Sequence, residues 1–474
     1  MALLSSPRLR NMRSLVALSG PLVVGNMLGI VTEFTDAIML GWYDTAALAA
    51  ITVAINLIFI LFLPILGFSY AVMSLAAADI ARADRDGARA HVMMGVLISV
   101  AFGLVLLPIL HFAEEILIFA GQPPEIAALA QSYLTLFSIG ILPAIFASVL
   151  RAFLTAAEYA RIVLWGAIIV ATANVGLNYV MIFGNFGFPE LGIVGAAISS
   201  IIVKLILVAF FLWFCLRRMA EYRLFSTAPR FETAPFRRVF RLGLPIGIAL
   251  MFEGGQIAVA TFMIGWFGEV QLAAHGIAVQ IVAFTFIFHG GISDAVTVKT
   301  ASAFGLQDKH QLAREAQTGL TLIVLVCITA LVIFVVFTSG LVDMFLSEGR
   351  GNALIVATLA VEILLIAAFF QIFDGVQSLY LGILRGMQDG SVPMGIVGGT
   401  YWVLGLSLSY LFGVTFGMAA IGVWLGLVAG MLGAAILLYA RYAYLMRAPR
   451  WAPGAEPSTG PISGPVSAPD PALI

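Results

Sequence analysis

Charged side chains are scarce in this chain of 474 residues. Asp, Glu, Lys and Arg together make up 10% of it, whereas 61% of the residues are hydrophobic. Soluble domains carry about 25% charged residues, so this composition excludes a soluble protein. Apolar runs long enough to cross a bilayer recur along almost the whole length. The sequence therefore predicts an all-α membrane protein.

Cysteine is also rare, and neither sign of charge dominates. Cys215 and Cys327, the only two cysteines, lie in apolar runs, which argues against disulfides and metal sites. The formal net charge of −1 provides no basic patch, so we expect no nucleic-acid partner. The chain has no His-rich metal motif, catalytic Asp pair or Gly-rich phosphate loop. We therefore predict that it is neither an enzyme nor an ATP-driven pump and that it has no cofactor.

The length and spacing of the apolar runs predict twelve transmembrane helices. The first run follows Arg8, Arg10 and Arg13 and lacks a cleavage site, so we interpret it as a helix and not as a signal peptide. The predicted spans are 14–41, 47–78, 90–119, 126–150, 161–182, 191–216, 240–268, 270–303, 312–343, 355–385, 392–416 and 417–446.

The connections between these spans are alternately basic and nearly free of Lys and Arg. Positive residues favour the cytoplasmic side of a membrane. We therefore expect a multi-pass protein of the bacterial inner membrane with both termini in the cytoplasm. The basic connections contain Arg8 to Arg13, Arg82 to Arg89, Arg151 and Arg161, Arg217 to Arg241, Lys299 to Arg314, Arg385, and Arg441 to Arg450.

The two halves of the chain repeat each other in sequence. Residues 224 positions apart match as pairs, namely Pro21 with Pro245, Gly41-Trp42 with Gly265-Trp266, Leu48-Ala49-Ala50 with Leu272-Ala273-Ala274, and Asp84 with Asp308. Each half contains six predicted spans, so both enter the membrane in the same sense. This predicts two six-helix bundles related by a pseudo-twofold axis, with a cavity between them.

These observations divide the chain into four predicted segments. Residues 1–216 form the N-lobe bundle, 217–239 a basic cytoplasmic linker, and 240–446 the C-lobe bundle. Residues 447–474 have a proline at every fourth position from Pro449 to Pro469. Such a segment lacks the apolar residues needed for a core, and we expect a disordered cytoplasmic tail.

A few ionisable and amide residues interrupt the apolar spans of the N-lobe. Charges inside a membrane are costly, so such residues are candidates for function. Asp36 lies late in the first span, one turn after Glu33. Asn174 and Asn178 share one face of the fifth span, and Lys204 lies near the middle of the sixth. Instead of a functional role, the two amides could simply pack between helices. Glu33 could instead lie near external water.

The C-lobe has its own polar residues. Glu253 lies in the middle of the seventh span, and Asp374 and Gln377 share one face of the tenth. At the 224-residue spacing, Asp36 matches Ala260 and Glu253 matches Gly29, so the carboxylates were not duplicated with the scaffold. Each lobe is therefore expected to have different ligand chemistry. The remaining C-lobe candidates are Gln256, Gln280 and Asp294, the last of which has Lys299 as an alternative partner.

The motifs around these residues resemble those of the multidrug and toxic compound extrusion (MATE) family, in particular its NorM-like branch. The resemblance covers about residues 14–446. It implies a monomeric twelve-helix antiporter that exports organic cations and drugs in exchange for Na⁺ or H⁺. The matching segments are Phe34-Thr35-Asp36-Ala37-Ile38-Met39-Leu40-Gly41, Gly243-Leu244-Pro245, Phe252-Glu253, Ala273-Ala274-His275, and Gln371-Ile372-Phe373-Asp374-Gly375-Val376-Gln377 followed by Leu384-Arg385-Gly386.

The same resemblance implies a role for several residues. Asp36, Asn174 and Asn178 fall at the family's N-lobe cation site, and Glu253 and Asp374 fall at its C-lobe site. Three positions differ from the family pattern. Phe370 replaces a frequent Tyr, Asp294 replaces a small residue, and Lys204 replaces an aromatic residue.

Lys204 has two alternative interpretations. It precedes Arg217 by about 20 Å at 1.5 Å per helical residue, which is too far for its amine to reach that interface. It either faces water in a central cavity or pairs with an N-lobe carboxylate, Asp36 being the nearest candidate on family topology. A pair with Asp36 would displace the coupling cation and favour proton exchange.

Two further transporter classes remain as alternatives. A major facilitator also has six plus six helices, and Asp84-Arg85-Asp86-Gly87-Ala88-Arg89 partly matches its loop signature. A lipid-linked precursor flippase of the same superfamily would require a strongly basic cavity. Away from helix ends, Lys204 and Lys299 are the only bases inside the predicted spans.

Overall fold

The computed structural model describes residues 7–225, 230–345 and 353–447. Within these ranges, twelve helices are long and apolar enough to cross a membrane. They are α1 Pro7–Tyr43, α2 Thr45–Ala81, α3 Arg85–His111, α4 Pro124–Ala156, α5 Ala160–Met181, α6 Ile193–Arg218, α7 Thr233–Gly265, α8 Glu269–Gly305, α9 Lys309–Val336, α10 Ala353–Gly386, α11 Ser391–Thr415 and α12 Ala419–Arg447.

Polar residues at the helix starts explain where several of these helices begin. The carboxylates of Asp84 and Asp308 accept backbone N–H groups of Gly87 and Gln311, at 2.9 Å and 2.8 Å. Each bond satisfies one of the N–H groups that a helix leaves unpaired at its start. The two aspartates were matched by the sequence repeat, and they perform the same capping role on α3 and α9.

Two predicted spans are shorter than expected because each is broken near its end. The predicted third span, 90–119, contains α3 and a separate short helix, Ala113–Phe119. The ninth, 312–343, contains α9 and the short helix Thr338–Asp343. The backbone leaves the helical region at Phe112 and at Phe337, with φ of −101° and −110°. The break therefore recurs in both halves of the chain.

The predicted linker, 217–239, is partly helical. α7 begins at Thr233, before the predicted residue 240. Pro235 lies in its first turn, where a missing N–H costs nothing. The basic connection was predicted to include the arginines that follow, Arg237, Arg238 and Arg241. A helix that extends into water can expose such charged side chains, so α7 contains all three.

α11 departs from regular α-helical geometry. Residues Gly399–Gly405 and Leu411–Thr415 are π-helical, and such turns occur mostly as single irregularities at functional sites. Glycines let this helix approach α12 closely, because a Cβ on Gly422 would lie 2.5 Å from the backbone nitrogen of Gly413. The irregular helix is therefore held backbone to backbone against its neighbour.

The described chain divides into two compact units. Val24–Gly247 belongs to one, called here the N-terminal unit. Residues up to Val23 and residues from Ile248 belong to the other, the C-terminal unit. The division falls inside α1 and α7, shortly after Pro21 and Pro245, and not in the predicted linker.

The core of each unit is helical. In the N-terminal unit, α2, α4 and α6 pack around a buried apolar cluster that includes Ile51 and Leu134. In the C-terminal unit, α10 packs between α8 and α12. The predicted fold class, an all-α membrane protein with twelve spans, is confirmed. The lobe boundaries at 216 and 240 stay a prediction, and the proline-rich tail lies outside the described residues from 448 onward.

Candidate functional site

The N-terminal unit contains a buried carboxylate surrounded by amides. Asp36 on α1 is 6% exposed, and Asn174 and Asn178 on α5 are buried beside it. The Nδ2 groups of both amides donate to Asp36 Oδ1, Asn174 at 2.9 Å. The Nδ2 group of Asn178 also lies 3.3 Å from Asn174 Oδ1. The three residues that the resemblance assigned to a cation site are therefore in direct contact.

Two oxygen atoms of this group remain available. Asp36 Oδ2 accepts no hydrogen bond from the described residues, and Asn178 Oδ1 is buried without a partner there. Carboxylate and amide oxygens are the ligand types that hard cations prefer. The arrangement can hold a proton on Asp36, or it can provide two oxygens to a small cation.

Lys204 and Glu33 extend this cluster. The Lys204 ammonium interacts electrostatically with both Glu33 and Asp36, and we call the five residues the N-terminal cluster. The pairing of Lys204 with Asp36 therefore stays a prediction, with a water-facing lysine as its alternative. The side chain is only partly exposed, and its charge acts on the carboxylates across space. The Glu33 side chain is exposed, and its position near external water stays a prediction.

The C-terminal unit contains two carboxylates joined by one amide. Gln377 Nε2 lies 3.2 Å from Glu253 Oε1 and 3.3 Å from Asp374 Oδ1. The amide has two hydrogens, so it can donate one to each carboxylate. The predicted residues Glu253, Asp374 and Gln377 are thereby brought together from α7 and α10.

A histidine that no sequence motif indicated also lies at this place. His289 on α8 is fully buried, and its Nδ1 lies 2.8 Å from Asp374 Oδ2. Its Nε2 lies 3.6 Å from Sγ of Cys327 on α9. The signal that could have found it is the same as for the acids, namely an ionisable side chain in the middle of an apolar run. We call Glu253, His289, Cys327, Gln371, Asp374 and Gln377 the C-terminal cluster.

Several polar atoms at this cluster have no partner among the described residues. They are the side-chain oxygens of Gln371 and Gln377, and the hydroxyl of Tyr401, which interacts electrostatically with Glu253 and Asp374. Both side-chain polar atoms of Gln256 on α7 also have no partner among the described residues. Buried polar groups normally have partners, so these atoms mark a place for water or for a transported ion.

Other predicted residues are placed elsewhere. Gln280 is exposed, and no described residue forms a hydrogen bond with it. Asp294 is buried on α8 and engaged with a partner of its own. Among the described residues, no three His, Cys, Asp or Glu side chains converge in a way that could hold a metal ion through those groups.

Comparison with known proteins places the chain in a family. The family model MatE matches residues 21–180 and 245–411. The probable multidrug resistance protein NorM of Rhizobium meliloti is 36% identical over 446 residues, 94% of this chain and 95% of that protein. The NorM protein of the same description from Agrobacterium fabrum is 34% identical over 440 residues, 92% of this chain and 94% of that one.

A solved structure has the same fold. It is an outward-facing multidrug resistance MATE family transporter of the MOP superfamily, and it is 18% identical with a TM-score of 0.81. The alignment covers 92% of this chain and 96% of that one. The family model and the two relatives cover most of the sequence, and the chain belongs to the MatE family.

Proposed function

We propose that this chain is an antiporter that exports organic cations and drugs in exchange for Na⁺ or H⁺, by alternating access between two lobes. The observation that carries the proposal is the burial of Asp36 beneath two amide donors inside otherwise apolar helices. A carboxylate at membrane depth is costly unless it is protonated, paired or bound to an ion. The names of the two relatives, multidrug resistance protein NorM, support the substrate class.

The proposed cycle uses the charge of the carboxylates. An ionised Asp36 attracts a cation, and binding of the coupling ion removes that net charge. Pro21 in α1 leaves one backbone carbonyl without its helical partner, and α1 passes from one unit to the other just after this residue. We propose that α1 bends there when Asp36 is neutralised, which couples ion binding to release of the drug.

The cellular setting is part of the proposal. Twelve apolar helices make this a multi-pass membrane protein. We propose that it lies in the bacterial inner membrane as a monomer with both termini in the cytoplasm, because the basic connections alternate with acidic or neutral ones. No enzymatic activity and no cofactor are expected, and the ion gradient alone drives transport.

Of the alternatives, the flippase remains to be tested against this proposal. Family membership sets aside the major-facilitator interpretation. A lipid-linked precursor carries phosphates and would need a basic site. The one lysine near the N-terminal carboxylates faces two acids, and this balance of charge favours cationic cargo.

The test is efflux of a fluorescent organic cation from proteoliposomes that contain the purified protein. Na⁺ and H⁺ gradients are imposed separately. We expect efflux under at least one gradient and its loss in Asp36→Asn. The absence of efflux under both gradients, together with turnover of a lipid-linked substrate, would overturn the proposal in favour of the flippase.

Asp44→Asn is the matched control for Asp36→Asn. Asp44 caps the start of α2, and its carboxylate lies 3.4 Å from the backbone nitrogen of Ala47. Asparagine caps a helix as well as aspartate does, so the control removes the same charge outside the cluster. We expect Asp44→Asn to transport as the unmodified protein does, which separates a specific role of Asp36 from a general effect of lost charge.

A further inference from the structure

His289 is held by an acid on one side and by a thiol on the other. Because a carboxylate accepts hydrogen bonds, the proton of the neutral imidazole lies on Nδ1 and is donated to Asp374 Oδ2, 2.8 Å away. Nε2 then accepts from the thiol of Cys327, at 3.6 Å. The ring is therefore oriented at both nitrogens.

The protonated ring would have partners in the same place. Nε2–H of an imidazolium can donate to Cys327 Sγ, while the thiol proton turns to the backbone carbonyl of Gln371, also at 3.6 Å. Buried polar groups are costly when unpaired. Here the hydrogen-bond network can satisfy both protonation states of His289 without moving the backbone.

The ring is closely packed on the side of Cys327. A Cβ added to Gly375 on α10 would lie 2.7 Å from Cys327 Sγ, 3.0 Å from His289 Nε2 and 3.1 Å from Ile323 Cγ2. Real Cβ contacts are not this short, so even a methyl group does not fit between α9 and α10 at this point. The ring is therefore closely packed at Nε2, while its Nδ1 faces Asp374 Oδ2 at 2.8 Å.

The other oxygen of Asp374 is engaged as well. Gln377 Nε2 lies 3.3 Å from Asp374 Oδ1 and 3.2 Å from Glu253 Oε1. A metal ion on Asp374 would have to share each carboxylate oxygen with an N–H donor, and an imidazolium there would also repel it. The C-terminal cluster thus differs from the N-terminal one, in which both donors use Asp36 Oδ1 and Oδ2 accepts no bond from the described residues.

The charged and titratable groups around His289 come from five helices. Asp374 and Cys327 are in direct contact with it. Glu253 on α7 is connected through Gln377, and Tyr401 on α11 and Arg385 on α10 interact electrostatically with the same acids. Asp294 lies on the helix of His289 itself. Acids outnumber bases here, which favours the binding of a positive charge.

We propose that His289 determines the ion specificity of the C-terminal cluster: its imidazole takes the position of a metal ion on Asp374, so this cluster excludes Na⁺. The inference rests on the proposed antiport and deepens it, since it assigns the ion of one cluster. It makes His289 a specificity-determining residue that no sequence motif indicated.

A second histidine on α8 provides the control. His275 is also buried, but its Nδ1 accepts from Trp424 Nε1 at 3.1 Å and its Nε2 lies 2.9 Å from the hydroxyl of Thr261. Its Nδ1 therefore carries no proton, and no carboxylate of the described residues contacts its ring. The substitutions His275→Gln and His289→Gln remove the same ring from the same helix, but only the second removes a partner of Asp374.

The experiment measures binding of radioactive Na⁺ to purified protein in the Asp36→Asn background, so that the N-terminal cluster does not contribute. We expect no saturable Na⁺ binding in this background and none after His275→Gln. His289→Gln, which provides an amide oxygen, should create saturable binding that Asp374→Asn then removes. Folding of each variant is checked by size-exclusion chromatography, and His289→Asn replaces any variant that fails to fold.

Two results would overturn the inference. One is saturable Na⁺ binding in the Asp36→Asn protein that depends on Asp374 while His289 is intact. The other is a folded His289→Gln variant that binds no Na⁺ in the Asp36→Asn background and, with Asp36 intact, keeps the pH profile of drug efflux. Failure of the proposed antiport would instead appear as absence of drug efflux under either gradient. The Na⁺-binding assay does not measure efflux, so the two failures can be told apart.

Discussion

Asn174 on α5 donates a hydrogen bond of 2.9 Å to Asp36 on α1, across 138 residues of sequence. The bond fixes one oxygen of the carboxylate and leaves the other open. A hydrogen bond to a charged group contributes about 1.5–3 kcal/mol. The affinity of Asp36 for its ion therefore depends on a residue that carries no charge itself.

Asn174→Ala tests this dependence. We expect the apparent affinity of the transporter for its coupling ion to change roughly tenfold or more, and to rise if that ion is H⁺, because the lost charge-assisted bond stabilised the ionised carboxylate. The measurement is the ion concentration that gives half-maximal efflux from proteoliposomes. Asn185→Ala is the control, because Asn185 is an exposed amide that donates to the carbonyl of Tyr179 at 3.0 Å. Equal affinities in the two variants would contradict the assignment.

The charge of Lys204 leads to a second prediction. Its ammonium interacts electrostatically with Glu33 and Asp36, so it opposes the binding of another cation beside these acids. Removal of about 1.4 kcal/mol of such repulsion corresponds to a factor of about ten in affinity. Two close charges near a protein surface can interact by more than this energy. We expect Lys204→Met to increase Na⁺-driven efflux and to change the pH dependence of transport.

Lys309→Met controls for the loss of a lysine. Lys309 is exposed at the start of α9, where the charge faces solvent. We expect this variant to retain the pH profile of the unmodified protein. If Lys204→Met retains it too, the lysine is only a solvated side chain in a cavity, and its proposed role in coupling is rejected.

A third prediction concerns stability and not transport. Asp79 near the end of α2 is buried, with one oxygen paired to Arg82 and the other 2.6 Å from His91 Nδ1 on α3. Asp79→Ala leaves a buried histidine nitrogen without its acceptor, which costs about 1–3 kcal/mol. We expect a lower unfolding temperature in detergent. Asp86→Ala, an exposed acid in the first turn of α3, should change it by less, and an equal change would contradict the role of Asp79.

The sequence predicted those features that depend on local pattern or on the cost of a charge. Apolar length identified all twelve spans, and membrane depth identified Asp36, Glu253 and Asp374 as unusual. The break at Phe112 was missed because phenylalanine is acceptable in a helix. His289 was missed because its importance depends on the packing of α8 against α9 and α10. That packing brings together residues 85 positions apart in sequence, and no periodicity encodes it.

The last prediction uses the close packing around His289. In Gly375→Ala the new methyl group would meet Cys327 Sγ at 2.7 Å and His289 Nε2 at 3.0 Å, so the thiol, the ring or both must shift, which disturbs the contact of His289 with Asp374. Overpacking of this kind costs about 1–3 kcal/mol. We expect a lower unfolding temperature together with reduced proton-driven efflux.

Gly290→Ala is the matched control, because Gly290 is the neighbour of His289 on α8 and a Cβ there would meet nothing within 4 Å. Alanine in a helix is more stable than glycine by about 0.5–1 kcal/mol, so the control should be at least as stable as the unmodified protein and should transport normally. If Gly375→Ala behaved like Gly290→Ala in both measurements, α8, α9 and α10 would not be packed tightly enough at this point for the imidazole to keep an ion from Asp374.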